Sequence, residues 1–140
     1  MSDLINNFKT MPKILVVDND LDTLETICLS LEAGGFKAIK AEGGQMALNL
    51  LKEILVDLIL LDIMMPEIDG IQVAKKLDAD PRTQIIPIIF ISALPVESNN
   101  FKNALKEMEN LKNIKGAVEK PFKFEDLINK IEQVLKNQQE

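Results

Sequence analysis

Four residues that could act together on a phosphoryl group stand at or just after the ends of short apolar runs. Asp18 follows Ile14 to Val17, Asp62 follows Leu58 to Leu61, and Ser92 follows Ile88 to Ile91; after the weaker run Ala117 to Val118 come Glu119 and then Lys120. Two carboxylates, helped by a carbonyl and waters, suit a hard octahedral cation such as Mg2+. Such a cation offsets charge when a phosphoryl group approaches an anionic nucleophile. An ammonium and a hydroxyl can then bind the phosphoryl oxygens. This chemistry requires that the four runs end side by side.

The runs themselves supply that placement. Ile14–Val17, Leu58–Leu61 and Ile88–Ile91 are branched or leucine-rich without alternation, which predicts strands buried on both faces of a parallel sheet. A weaker strand is expected over 37–41. Between the runs lie apolar stripes at helical spacing: Leu24, Ile27, Cys28 and Leu31, stopped by Gly34-Gly35; Met46, Leu50, Leu51 and Ile54; Ile71, Ala74 and Leu77, ended near Asp80-Pro81. A fourth stripe runs Phe101, Ala104, Leu105, Met108 and Leu111. A fifth runs Phe124, Leu127, Ile128, Ile131, Val134 and Leu135. Strands alternating with helices predict right-handed βαβ units in a doubly wound α/β sheet, where ligands bind at the carboxyl ends of the strands.

Composition narrows the function. The 140 residues make one domain's length, and 46% are apolar, enough for a single core. A net charge of −6 argues against a nucleic-acid surface or electrostatic attachment to an anionic membrane. With no histidine, phosphohistidine and His-ligated zinc are excluded within the chain; one cysteine, Cys28, excludes an internal disulfide and fits a reducing cytoplasm. No apolar run nears the roughly 18 residues of a membrane span, and the first residues do not read as a signal peptide. Residues 1–11 are expected to be a flexible leader, 12–137 the domain and 138–140 a polar tail.

These motifs resemble the receiver domains of response regulators. Ile14-Leu15-Val16-Val17-Asp18-Asn19-Asp20 is similar to the family's first strand and acidic pair, and Leu60-Leu61-Asp62-Ile63-Met64-Met65-Pro66-Glu67-Ile68-Asp69-Gly70 to its phosphoacceptor segment. Pro87 to Ala93 resembles the fourth strand with its hydroxyl, and Glu119-Lys120-Pro121-Phe122 the Lys-Pro-Phe signature, whose Lys-Pro bond is usually cis in the family. The resemblance implies a flavodoxin-like (βα)5 three-layer sandwich with a parallel five-stranded sheet of order 2-1-3-4-5. It implies Asp62 as the nucleophile that becomes an aspartyl phosphate, Lys120 as the partner of the phosphoryl group and Ser92 as the switch hydroxyl. Ala93 would keep the approach open. Asp18, Asn19, Asp62 and the backbone carbonyl of Met64 would hold Mg2+ (or Mn2+). The donor would be a sensor histidine kinase or a phosphotransfer protein. The recipient of the signal would be an output protein or an effector domain outside this sequence, with a homodimer through the fourth and fifth helices a further arrangement. Such a domain is a cytoplasmic signalling switch and catalyses only its own phosphorylation and dephosphorylation.

Several residues depart from the family's pattern. Asn19 stands where a second acid is usual, which predicts weaker Mg2+ binding, although Asp20 is near. Ala117, three residues before Lys120, replaces the usual tyrosine or phenylalanine. The stretch from Ser92 to Lys120 is long, predicting an extended fourth helix or following loop. Met64 and Leu94 are apolar where polar side chains could orient an attacking water, which predicts a long-lived acyl phosphate. Two other functions compete. A degenerate receiver could serve only as a docking module. A haloacid-dehalogenase-like phosphatase shares the Asp18-Asn19-Asp20 opening, but Asp22 stands where threonine or valine is expected. An EF-hand reading of Asp18, Asp20 and Asp22 fails at Thr23 and Leu29, which replace its glycine and bidentate acid.

Overall fold

The computed structural model describes residues 11–93 and 98–138. Five strands alternate with five helices: β1 Lys13–Val17, α1 Leu21–Ala33, β2 Lys37–Ala41, α2 Gly44–Leu51, β3 Leu58–Asp62, α3 Gly70–Asp78, β4 Ile88–Ser92, α4 Asn99–Glu107, β5 Ile114–Glu119 and α5 Phe124–Gln138. All strand pairs are parallel and the order is β2-β1-β3-β4-β5. Most of the expected leader, the end of the expected tail and Leu94 lie outside the described residues.

Strand alternation divides the core into two halves. Leu15, Val17, Ile59, Leu61, Ile88 and Phe90 point to one face, where they pack with Ala47 and Leu51 of α2 and Val73, Ala74 and Leu77 of α3. Ile14, Val16, Leu58, Leu60, Ile89 and Ile91 point to the other, against Leu24, Ile27, Cys28 and Leu31 of α1 and Leu127, Ile131 and Val134 of α5. A run with no polar residue is what such a strand needs, since both of its faces are covered. Every residue of β3 and β4 is buried, including Asp62 and Ser92 at their carboxyl ends.

Some elements differ from the sequence reading. The α1 stripe is buried as expected, with Gly34 as the C-cap and Gly35 at φ 95°. The second stripe is offset: Ala47 and Leu51 are buried, Met46 is exposed, and the helix ends before Ile54. The fourth helix stops at Glu107, although its stripe continues to Leu111. Beyond it, Met108 N–H donates to the Leu105 carbonyl and Leu111 N–H to the Met108 carbonyl, three residues back. These tighter turns bury Met108 without further α-helix. Residues 108–113 thus join α4 to β5 as turns. β5 is longer than Ala117–Val118 alone. A register shift pairs Ile88 with Ile114 but Ile89 with Gly116, so Lys115 is an inserted bulge residue.

Candidate functional site

The register brings the reactive set to one edge. Val17 lies beside Leu61, Asp62 beside Ile91, and Ser92 beside Glu119. The residues just past these pairs therefore converge where the chain turns from β1 outward in both directions, the switch point of the sheet. Backbone bonds fix each chain end as it leaves the sheet. Asp18 N–H donates to the Ala41 carbonyl at 3.2 Å, Ile63 N–H to the Ile91 carbonyl at 3.1 Å, and Lys120 N–H to the Ser92 carbonyl at 2.7 Å. The Lys120–Pro121 bond is cis.

Asp18 and Asp62 are both buried, at 1% and 5% exposure. Lys120 reaches both. Its Nζ donates to Asp18 Oδ2 at 2.8 Å and lies 3.5 Å from Asp62 Oδ2. The loop bonds beneath are short-range: Asp20 N–H donates to Asp18 Oδ1 at 2.9 Å, and Met64 N–H to Asp62 Oδ1 at 3.2 Å. Two buried carboxylates thus share one ammonium, leaving the cluster a charge short. Burial first, and then the neighbouring Asp18, push the Asp62 carboxyl up to about 6, against the pull of Lys120 and the Met64 N–H. Burial pulls Lys120 down, but its bond to Asp18 and the charges of Asp62 and Asp18 outweigh that, and it is held above the ordinary lysine value.

The other expected site residues are placed as follows. Ser92 is fully buried at the end of β4. Asn19 is exposed, at the rim. The Met64 side chain is exposed, above a backbone already bonded to Asp62. Asp20 does not turn inward to replace the missing acid; its carboxylate accepts from the Thr23 hydroxyl in the first turn of α1. That bond is the leading cause of its lowered pKa. Among the described residues, no three carboxylates or thiolates gather in one place as a metal cluster. The oxygen atoms that could hold a metal here are those of Asp18 and Asp62, with the Asn19 amide and main-chain oxygen as further candidates. All are hard oxygen donors, and the unbalanced charge between Asp18 and Asp62 fits a small divalent cation.

Gly70 has a role beyond its place in the motif. A Cβ there would lie 2.4 Å from the Asp62 carbonyl oxygen and 2.9 Å from Ile63 Cα. Its N–H donates to the Ile63 carbonyl at 2.9 Å, so the first turn of α3 rests directly on the backbone of the candidate nucleophile. Only glycine allows that approach. Asp69 and Gln72 form a reciprocal capping box at the start of this helix, and Asp-x-x-Gln is readable in the sequence. Glu67 in the same loop takes φ 66°, a left-handed conformation rare for a residue with a side chain, and no sequence signal marks it.

Comparison with known proteins agrees with this geometry. Residues 14–132 match the model of the response regulator receiver domain family. The phosphate regulon transcriptional regulatory protein PhoB of Escherichia coli is 32% identical over 124 residues, covering 89% of this chain and 52% of PhoB. The chain spans about half the length of such curated relatives. The polar-differentiation response regulator DivK of Brucella anthropi is 36% identical over 64% of this chain and 73% of its own length. Among solved structures, the receiver domain of the Francisella response regulator 1452 superposes with a TM-score of 0.76 at 31% identity, covering 90% of this chain and 98% of that one.

Proposed function

Since the chain belongs to the response regulator receiver domain family of two-component signalling, we propose that residues 12–137 are a phosphorylation switch in which Asp62 accepts a phosphoryl group and changes partner binding. The observation that carries this reading is the buried Asp62 carboxylate, with Lys120 Nζ 3.5 Å away and Asp18 alongside.

In the proposed reaction an Asp62 carboxylate oxygen attacks phosphorus, and the donor's leaving group departs with the electrons of the broken bond. Lys120 draws the phosphoryl oxygens toward its ammonium while it stays tied to Asp18. Ser92, at the end of β4, supplies the hydroxyl that a phosphoryl oxygen would recruit. Asp18, Asp62, the Asn19 amide and the Met64 carbonyl would hold Mg2+ (or Mn2+). When bound, the ion supplies charge neutralisation between the carboxylate and the incoming phosphoryl group. The exposed Met64 thioether would stand near the acyl phosphate and cannot orient a water, which favours a slow loss of phosphate.

The donor would be a phosphohistidine of a sensor kinase or phosphotransfer protein. The output would go to a separate protein, or to an effector region such as the rest of the longer relatives, with a homodimer through α4 and α5 as one form of the active state. The buried, unpaired Cys28 is in keeping with the reducing cytoplasm. Among the described residues no helix is long and apolar enough to cross a membrane.

Acetyl phosphate with Mg2+ tests the reading. The expected result is a mass increase of one phosphoryl group, absent in Asp62→Ala and lasting well beyond seconds. An unmodified wild-type chain would instead favour a docking module independent of phosphorylation.

A further inference from the structure

We propose that Gly44 couples the phosphoacceptor loop to α2, so that a change at Asp62 is read out at the start of α2. This inference rests on Asp62 as the phosphoacceptor and goes beyond that reading by assigning the path the signal takes.

The path is a row of close approaches. At one end, Met64 N–H bonds to Asp62 Oδ1. Phosphorylation of the carboxylate changes the charge and geometry of the acceptor of that bond, so the loop after β3 is the first backbone to respond. This loop has little slack. Ile68 N–H donates to the Pro66 carbonyl at 2.8 Å, the Asp69–Gln72 capping box closes its end, and Gly70 is seated on the Asp62 carbonyl.

At the other end the Ile68 side chain and carbonyl lie against the bare backbone of α2's first residue. Gly44 is the buried first residue of α2. A Cβ there would lie 2.6 Å from Val73 Cγ2, 2.7 Å from Ile68 Cγ2 and 3.1 Å from the Ile68 carbonyl oxygen. Close-packed groups pass a displacement on rather than absorb it. Motion of Ile68 therefore moves the start of α2. A cavity of about 170 Å³ beside this contact, lined by Asn19, Glu42, Met46, Pro66 and Glu67, leaves space for the displacement. On the β5 side, the residue in register with Phe90 is Ala117, which has no ring to reorient.

Amide chemical shifts of the isotope-labelled full chain, recorded with Mg2+ before and after acetyl phosphate, test the coupling, with intact mass measured on the same samples. In the wild type, shift changes are expected at Gln45 to Leu48 as well as at Met65 to Ile68. In Gly44→Ala the start of α2 must retreat from Ile68; the mass increase should persist while the changes at Gln45 to Leu48 are lost. Ile68→Ala opens the same contact from the other side without adding atoms, and it should also lose the α2 response. A phosphorylated wild type with a silent α2, or an α2 response unchanged in either folded variant, would overturn the coupling and leave the phosphoacceptor reading intact. No mass increase in the wild type would overturn both.

Discussion

Burial of Asp62, the proposed phosphoacceptor, comes at a cost to stability. Its carboxyl is raised from 3.8 to about 6, so the folded state binds its proton more tightly than the unfolded state. The stability this proton contributes is complete below 3.8 and lost as pH rises through about 6. In metal-free buffer, Asp62→Asn should remove that loss. The variant should be more stable than wild type at neutral pH by about 1–3 kcal/mol, with the difference shrinking on acidification. Urea midpoints measured across the window check it, and a difference constant with pH would contradict the account. In the proposed metal site the neighbouring position is the neutral Asn19. Because Asp20 is held by Thr23, nothing else supplies the missing negative charge from the β1–α1 loop. Asn19→Asp should therefore bind Mg2+ more tightly, as read by direct titration; equal affinities would show that the amide is no handicap. The buried polar residues at this edge were readable as candidates because each stands at or just after the end of an apolar run. That Lys120 lies closer to Asp18 than to Asp62 was not readable, since it depends on ångström-scale distances between segments far apart in the chain.

At the scale of elements, the join between β3 and α3 is the tightest part of the site. Gly70→Ala would force a methyl group into the Asp62 carbonyl, which is backbone and cannot swing aside. Overpacking of this kind costs about 1–3 kcal/mol. Denaturant unfolding should show that loss, and phosphorylation by acetyl phosphate should slow in the fraction that remains folded. A variant as stable and reactive as wild type would mean that the loop has slack. Helix faces were well marked in the sequence where the stripe continued as helix, as in α1 and α5. The stripe past Glu107 misled because Met108 and Leu111 both pack on the core, and turns with bonds three residues back bury Met108 and partly cover Leu111 without further α-helix. The Lys115 bulge was equally hidden, since a one-residue slip beside β4 leaves no mark on composition.

For the molecule as a whole, β1, β3 and β4 form the buried centre of the sheet and β5 a less covered edge. β3 and β4 are buried throughout, whereas β5 is only partly covered. Hydrogen exchange should show amides of β1, β3 and β4 opening only with global unfolding, while those of β5 exchange through local opening. Equal protection in β5 would count against this division. By itself the sequence determined the alternation of strands and helices, the two-sided burial of the central strands and the order of the reactive motifs. Each of these is set by residues close together in the chain, through hydrophobic periodicity and through the polar residue that ends each run. Only the tertiary structure decided how strongly Asp62 holds its proton, where Asp20 points, and that Gly70 and Gly44 form the contacts on either side of the loop between β3 and α3. These properties depend on distances of a few ångströms between distant segments, as between Lys120 and Asp18, 102 residues apart, and local pattern carries no record of them.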